Sequence, residues 1–146
     1  MRLEAHFPGL IGTDYRITSP QTETYNCIAW AAGDDERCWW PDPERRGYWP
    51  ESAPRERTLD AFGAAFRSLA FEVCVSDALE PGFEKVALFA YANGIPTHTA
   101  RQLPNGKWTS KLGDMEGIEH RLQALEGDIY GTVVRIFRRP VAITPS

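Results

Sequence analysis

Cysteine, clustered basic charge and long apolar runs are all scarce in this 146-residue sequence. The three cysteines are an odd number with no Cys-x-x-Cys pair, which argues against a disulfide framework. Lys and Arg form no dense block and the formal charge is −4, so the electrostatic footprint of a nucleic-acid binder is missing. The one basic cluster, Arg135 with Arg138-Arg139, reads as a solvated strand face. No stretch approaches the roughly 20 apolar residues of a membrane span. Met1 to His6 offers no apolar run for a secretory signal. A cytosolic, reduced setting is therefore expected. Cys27, Cys38, Cys74, His6, His98 and His120 lack the spacing of a zinc motif, and no metal or other cofactor is expected. There is no internal repeat and no low-complexity tract.

What the sequence does contain is an ordinary globular composition, 42% apolar and 25% charged, in a length that suits one domain over 1–146. Tyr25-Asn26-Cys27-Ile28-Ala29-Trp30-Ala31-Ala32-Gly33 follows the polar loop 19–24 and reads as a helix closed by glycine. Cys27 falls in its first turn, where unsatisfied backbone N–H groups favour a thiolate. The plain alternative is that Cys27 is a small buried hydrophobe. Cys38 and Cys74 read as structural.

Segment 34–57 has neither helical nor strand period, yet carries three tryptophans (Trp39, Trp40, Trp49), Tyr48 and four prolines. So many rings predict an ordered loop, either a wall of a substrate groove or a satellite cluster that glues the loop down. Leu59, Phe62, Phe66 and Leu69 recur at helical steps behind Thr58, a good N-cap. Strand periods follow at 71–75, 85–91, 97–103 and 108–111, with Asn93-Gly94 and Asn105-Gly106 as turns. That is an antiparallel meander with His98 early in its middle strand. Met115, Ile118, Leu122 and Leu125 share a face of an expected second amphipathic helix over 115–126, with His120 near its polar side. A last strand spans 130–137, and 141–146 is expected to be a loose tail.

A cysteine opening a helix, followed by a histidine on a strand, suits thiol-mediated acyl chemistry, in which the imidazole takes the thiol proton and returns it to the leaving amine. A third polar group should orient the imidazole. If Asn105-Gly106 is a two-residue turn, His98 shares a face with Gln102, Thr109 and Lys111. Thr109 or Gln102 is then the orienting group, and Ser110 becomes one if the hairpin bulges. Asn26 and Tyr25 are further candidates.

Tyr25-Asn26-Cys27 at a helix start, Pro96-Thr97-His98-Thr99-Ala100 on a hairpin, an Asn-Gly turn and Trp108 together resemble the minimal papain-like cysteine hydrolases, of NlpC type and CHAP type. The chain is also similar to small uncharacterised bacterial domains with a Tyr-Asn-Cys-x-Ala-Trp-Ala stretch. The resemblance covers about residues 22–112. The elements themselves read as an α+β domain, an antiparallel sheet of four to six strands packed by three helices, and the resemblance implies that this fold is papain-like, with the Cys-bearing helix packed on the antiparallel meander. It also implies Cys27 as nucleophile, His98 as base, and a peptide or protein amide as substrate. Tyr25, Asn26, Trp39, Trp40, Tyr48, Trp49 and Lys111 would then line the substrate site. The sequence departs from the family where an acidic or amide orienter is usual. Two further readings follow: a catalytically inactive binding module with a protein partner, for example a toxin, and a deamidase or transglutaminase-like effector.

Overall fold

A computed structural model describes residues 2–112 and 116–141. In chain order its elements are helix α1 (Arg2–His6), a 3-10 turn (Pro8–Leu10), strand β1 (Arg16–Ser19), helix α2 (Cys27–Ala31) and helix α3 (Leu59–Arg67). Strands β2 (Glu72–Cys74), β3 (Phe83–Ala90), β4 (Pro96–Gln102), β5 (Trp108–Lys111) and β6 (Gly117–His120) follow, then a second 3-10 turn (Leu122–Leu125) and β7 (Thr132–Pro140). The strands form one antiparallel seven-stranded sheet in the order β1-β6-β5-β4-β3-β7-β2.

This overturns the papain-like α+β expectation. The sheet dominates, and among the described residues only one helix, α3, is longer than five residues. The expected helix over 115–126 is a strand followed by a 3-10 turn; Met115 lies outside the described residues, as does 142–146 of the expected tail. Ile118, Leu122 and Leu125 are all buried, as their spacing demands, but in two elements. Three- and four-residue steps are satisfied by a strand that turns a corner as well as by a helix. Gly117 tips the balance toward the strand. A side chain there would meet Ser19 Oγ where β6 pairs with β1, so glycine leaves room for that hydroxyl.

Strand alternation gives the sheet two apolar faces. Val86 and Leu88 of β3 and Phe137 of β7 face α2, α3 and the aromatic loop. Ala87, Phe89, Ala100, Trp108, Ile118 and Ile136 face Leu3, Phe7 and Leu10 from the N-terminal turns and Leu122 and Leu125 from the second 3-10 turn. Helix α3 forms for the reasons its sequence supplies. Thr58 Oγ1 accepts the Ala61 N–H at 3.1 Å, and Ala61, Phe62, Ala65 and Phe66 are buried on one side.

The 34–57 loop has exposed, charged turns, but its rings pack into the core. Trp49 is 1% exposed, packs against Phe62 at 5.1 Å between ring centroids, and donates its indole N–H to Pro54 O at 2.8 Å. Trp39 is buried against Tyr48 and donates to Asp34, while Trp40 meets Phe62 edge-on. A groove of about 730 Å³ lies elsewhere, at the far end of β4, among Leu79, Phe83, Arg101, Gln102, Leu103 and Pro104, and none of the four rings lines it. No described helix is long and apolar enough to cross a membrane.

Candidate functional site

The β4–β5 turn decides which side chains meet. Leu103 N–H donates to Lys107 O at 2.7 Å and Gly106 N–H to Leu103 O at 2.9 Å, with Gly106 at φ +87°. The loop is therefore three residues, Pro104-Asn105-Gly106, closed by a glycine in the left-handed region. The register becomes Gln102 opposite Trp108 and Arg101 opposite Thr109, one step from that of a two-residue turn. One step exchanges the faces of β5. Ser110 joins His98 on one face, and Thr109 and Lys111 join Thr99 on the other.

The three candidates for orienting His98 separate accordingly. Ser110 Oγ is 2.9 Å from His98 Nε2. Thr109 Oγ1 instead accepts the Trp30 indole N–H at 3.0 Å, and Gln102 donates to Asp77 O at 2.9 Å. A histidine that the sequence placed on a helix surface completes the group. His120 Nε2 is 2.7 Å from Ser110 Oγ, and His120 Nδ1 is 2.8 Å from Arg121 O. His98, Ser110 and His120 come from β4, β5 and β6, and all three are wholly buried. Once the 117–120 segment is recognised as a strand, His120 falls on the same face as Ser110; the signal was the Gly117-Ile118 pair, poor at starting a helix.

Cys27 opens α2 on the other face of the sheet. Asn26 caps the helix, its Oδ1 accepting from Ala29 N–H at 3.2 Å and from Trp39 N–H at 3.0 Å, while its Nδ2 donates to Trp39 O at 2.7 Å. Asn26 thus ties the helix start to the aromatic loop. Asn26→Ala is expected to cost about 2 kcal/mol, from the lost cap and the stranded Trp39 backbone, measured by urea unfolding. A loss below about 0.5 kcal/mol would show that water replaces these bonds freely.

Strands β4 and β5 pair only at their turn-proximal ends. Farther along, the Thr99 hydroxyl donates to Cys27 O at 3.2 Å. Burial pushes the Cys27 thiol above its ordinary pKa; the N–H groups of Thr99, Ile28 and Cys27 itself, and the Lys111 charge, oppose that. Lys111 is wholly buried with Nζ 5.6 Å from the Tyr25 ring centre, and Tyr25 stacks on Trp30.

The imidazole of His98 stacks on Tyr130 at 4.1 Å and meets Phe89 edge-on. Burial, and then the neighbouring His120, hold its pKa well below the usual histidine value. Tyr130 was not anticipated from the sequence; its phenol is pushed up by burial and, second, by charge on Cys27. Among the described residues, His98 Nδ1 has no hydrogen-bond partner, and no hydrogen bond joins it to Cys27. Thr99, whose hydroxyl bonds the Cys27 backbone, directly follows His98 along β4, so the thiol and the imidazole lie on opposite sides of that strand. No three His, Cys, Asp or Glu side chains converge as metal ligands among the described residues.

The fold and site together define an antiparallel-sheet domain with a buried thiol at a helix start and a three-member imidazole–hydroxyl–imidazole chain across adjacent strands. The chain belongs to the domain family of unknown function DUF7689, whose model matches residues 16–138. No curated protein and no solved structure matches it.

Proposed function

We propose that this protein is a cysteine-dependent hydrolase or acyltransferase acting on an amide or isopeptide bond, with Cys27 as nucleophile and His98 as base. The observation that carries the reading is the bare, buried Nδ1 of His98, held by Ser110 on its other nitrogen and next in the chain to Thr99, whose hydroxyl donates to Cys27 O. A buried polar atom without a partner needs a reason, and a base awaiting a proton is one. The order of parts, thiol on a helix, imidazole on a strand and polar group on the next strand, is shared with NlpC-type and CHAP-type amidohydrolases. Such constellations recur on unrelated folds, so the reading does not depend on a papain-like one.

In this mechanism thiol and imidazole start neutral. As sulfur attacks the carbonyl carbon, its proton passes to His98 Nδ1 through a water admitted where β4 and β5 no longer pair, beyond Arg101 and Thr109. The tetrahedral intermediate collapses, the C–N bond breaks, and the imidazolium gives the proton to the departing amine. Water or a second amine then resolves the thioester, yielding acid or a new amide. The substrate is a peptide or protein amide, and a reducing cytosol, which keeps all three free cysteines as thiols, is the setting we assign.

p-Nitrophenyl acetate tests this without a known substrate. Cys27 is expected to acquire the acetyl group, located by peptide mapping, with a rate about 100-fold lower in His98→Ala, as for a lost general base. Because His98 is held neutral, the acid limb of that rate should lie well below pH 6.5. A specific observation favours the second reading, a non-catalytic module that binds a protein partner: Cys27 is only 7% exposed and His98 fully buried. Acetylation confined to the more exposed Cys38 and Cys74, with no effect of His98→Ala, would establish that reading instead.

A further inference from the structure

We propose that His120 is a positioning residue of this site: acting through the Ser110 hydroxyl, it fixes the proton of His98 on Nε2 and leaves Nδ1 as the bare lone pair. Naming that lone pair as the base rests on the reading above; the proton arrangement itself does not.

The arrangement follows from one fixed end. Arg121 O is a carbonyl and only accepts, so the His120 nitrogen 2.8 Å from it, Nδ1, carries a proton. A neutral imidazole has one N–H, so His120 Nε2 is an acceptor. The Ser110 hydroxyl, 2.7 Å away, must therefore donate its single proton to His120. Its oxygen is left only lone pairs for His98 Nε2 at 2.9 Å, so His98 Nε2 is the donor. His98 Nδ1 then has no proton, and it is the atom without a partner.

The reverse order fails at each end. If Ser110 donated to His98, its oxygen would need the proton of His120 Nε2. His120 would then face the Arg121 carbonyl with a lone pair, or carry a second proton and a charge. Burial opposes the charged form, holding the His120 pKa at about 4. All three side chains are removed from water, so no solvent proton is at hand to repair a mismatch. Ser110 is thus a relay with its direction set from outside, and β6 reaches the reaction centre through two hydrogen bonds. Deleting His120 releases the hydroxyl to rotate, and both tautomers of His98 become available.

Long-range 15N–1H spectra of imidazole-labelled full chain at pH 7.5 read the tautomers directly. In the wild type, His98 is expected to be protonated at Nε2 and bare at Nδ1, with His120 protonated at Nδ1. His120→Leu, close in size but without an acceptor, is expected to give a His98 signal averaged between tautomers. His120→Gln, whose amide oxygen accepts near the former Nε2 position, is expected to restore the single Nε2–H pattern. Acetylation of Cys27 should fall roughly ten- to hundredfold in His120→Leu and recover in His120→Gln, the range for a lost orienting partner. Should His120→Leu not fold, the wild-type and His120→Gln spectra still decide the order of protons. A wild-type His98 protonated at Nδ1, or an unchanged His98 pattern in folded His120→Leu, overturns the proposal. Absence of wild-type acetylation with the expected tautomers would remove the hydrolase reading and leave the relay standing. Acetylation with His98 protonated at Nδ1 would do the opposite.

Discussion

Lowering the pH from 7.5 to 5 is expected to cost the fold about 2 kcal/mol through His120 alone, with His98 adding in the same direction. Both histidines are buried neutral and hold their pKa below the ordinary 6.5, His120 at about 4. The unfolded chain therefore binds more protons than the folded one between those values, and stability rises with pH across that window. It is fully present above about pH 6.5 and declines as pH falls toward 4. For His120, burial is the main cause, partly offset by the Arg121 carbonyl and the charge of Glu119; for His98 it is burial and then His120. The carboxylates with lowered pKa values, Asp14, Asp34, Asp42 and Glu80, lose their contributions only at lower pH, so the interval from 6.5 to 5 isolates the histidines. Urea unfolding at pH 7.5, 6, 5.5 and 5 measures the slope, and His120→Gln should flatten it. A free energy of unfolding that does not change across this range would mean that both imidazoles take protons in the folded state without penalty.

Trp49→Ala is expected to destabilise the protein by about 4 kcal/mol, the cost of deleting a large buried ring. Trp49 is 1% exposed, packs on Phe62 of α3 and donates to Pro54 O, so the substitution opens a cavity, strands a carbonyl and loosens the loop from the helix beneath it. Trp40→Ala, at a half-buried ring, should cost less. The contrast separates two roles for the aromatic segment. A wall of a substrate groove would tolerate Trp49→Ala with little change in unfolding midpoint, whereas a core plug would not. Chemical denaturation of the two variants decides it, and a loss below about 1 kcal/mol for Trp49→Ala would return the loop to the role of a groove wall.

How much of the site was legible depends on the residue. Cys27 at a helix start and His98 in a central strand follow from local signals, a cap residue before an apolar run and a strand between two Asn-Gly turns. The partner of His98 was narrowed on the sheet to Thr109, Gln102 or Ser110, with Asn26 and Tyr25 still open, because the answer hangs on whether the loop after Leu103 holds two residues or three. Asn-Gly serves either loop, and the difference of one residue turns every β5 side chain to the opposite face. His120 and Tyr130 were out of reach for another reason. Spacing alone does not distinguish a helix over 115–126 from a strand that turns a corner, and the site-facing role of each residue exists only once β6 lies beside β5.

The sequence by itself determined the local pieces: the capped starts of α2 and α3, the strand periods, the turns and the apolar residues destined for burial. These are set by chemistry within a few positions along the chain. Tertiary structure alone decided that the sheet, with seven strands, outweighs the helices, that Trp39 and Trp49 of the aromatic loop are buried, and that a second histidine stands behind the first. Each of these follows from pairing between segments distant in sequence, where register, close approach at Gly117 and the enclosure of polar groups from water select one arrangement among several that local propensity allows equally.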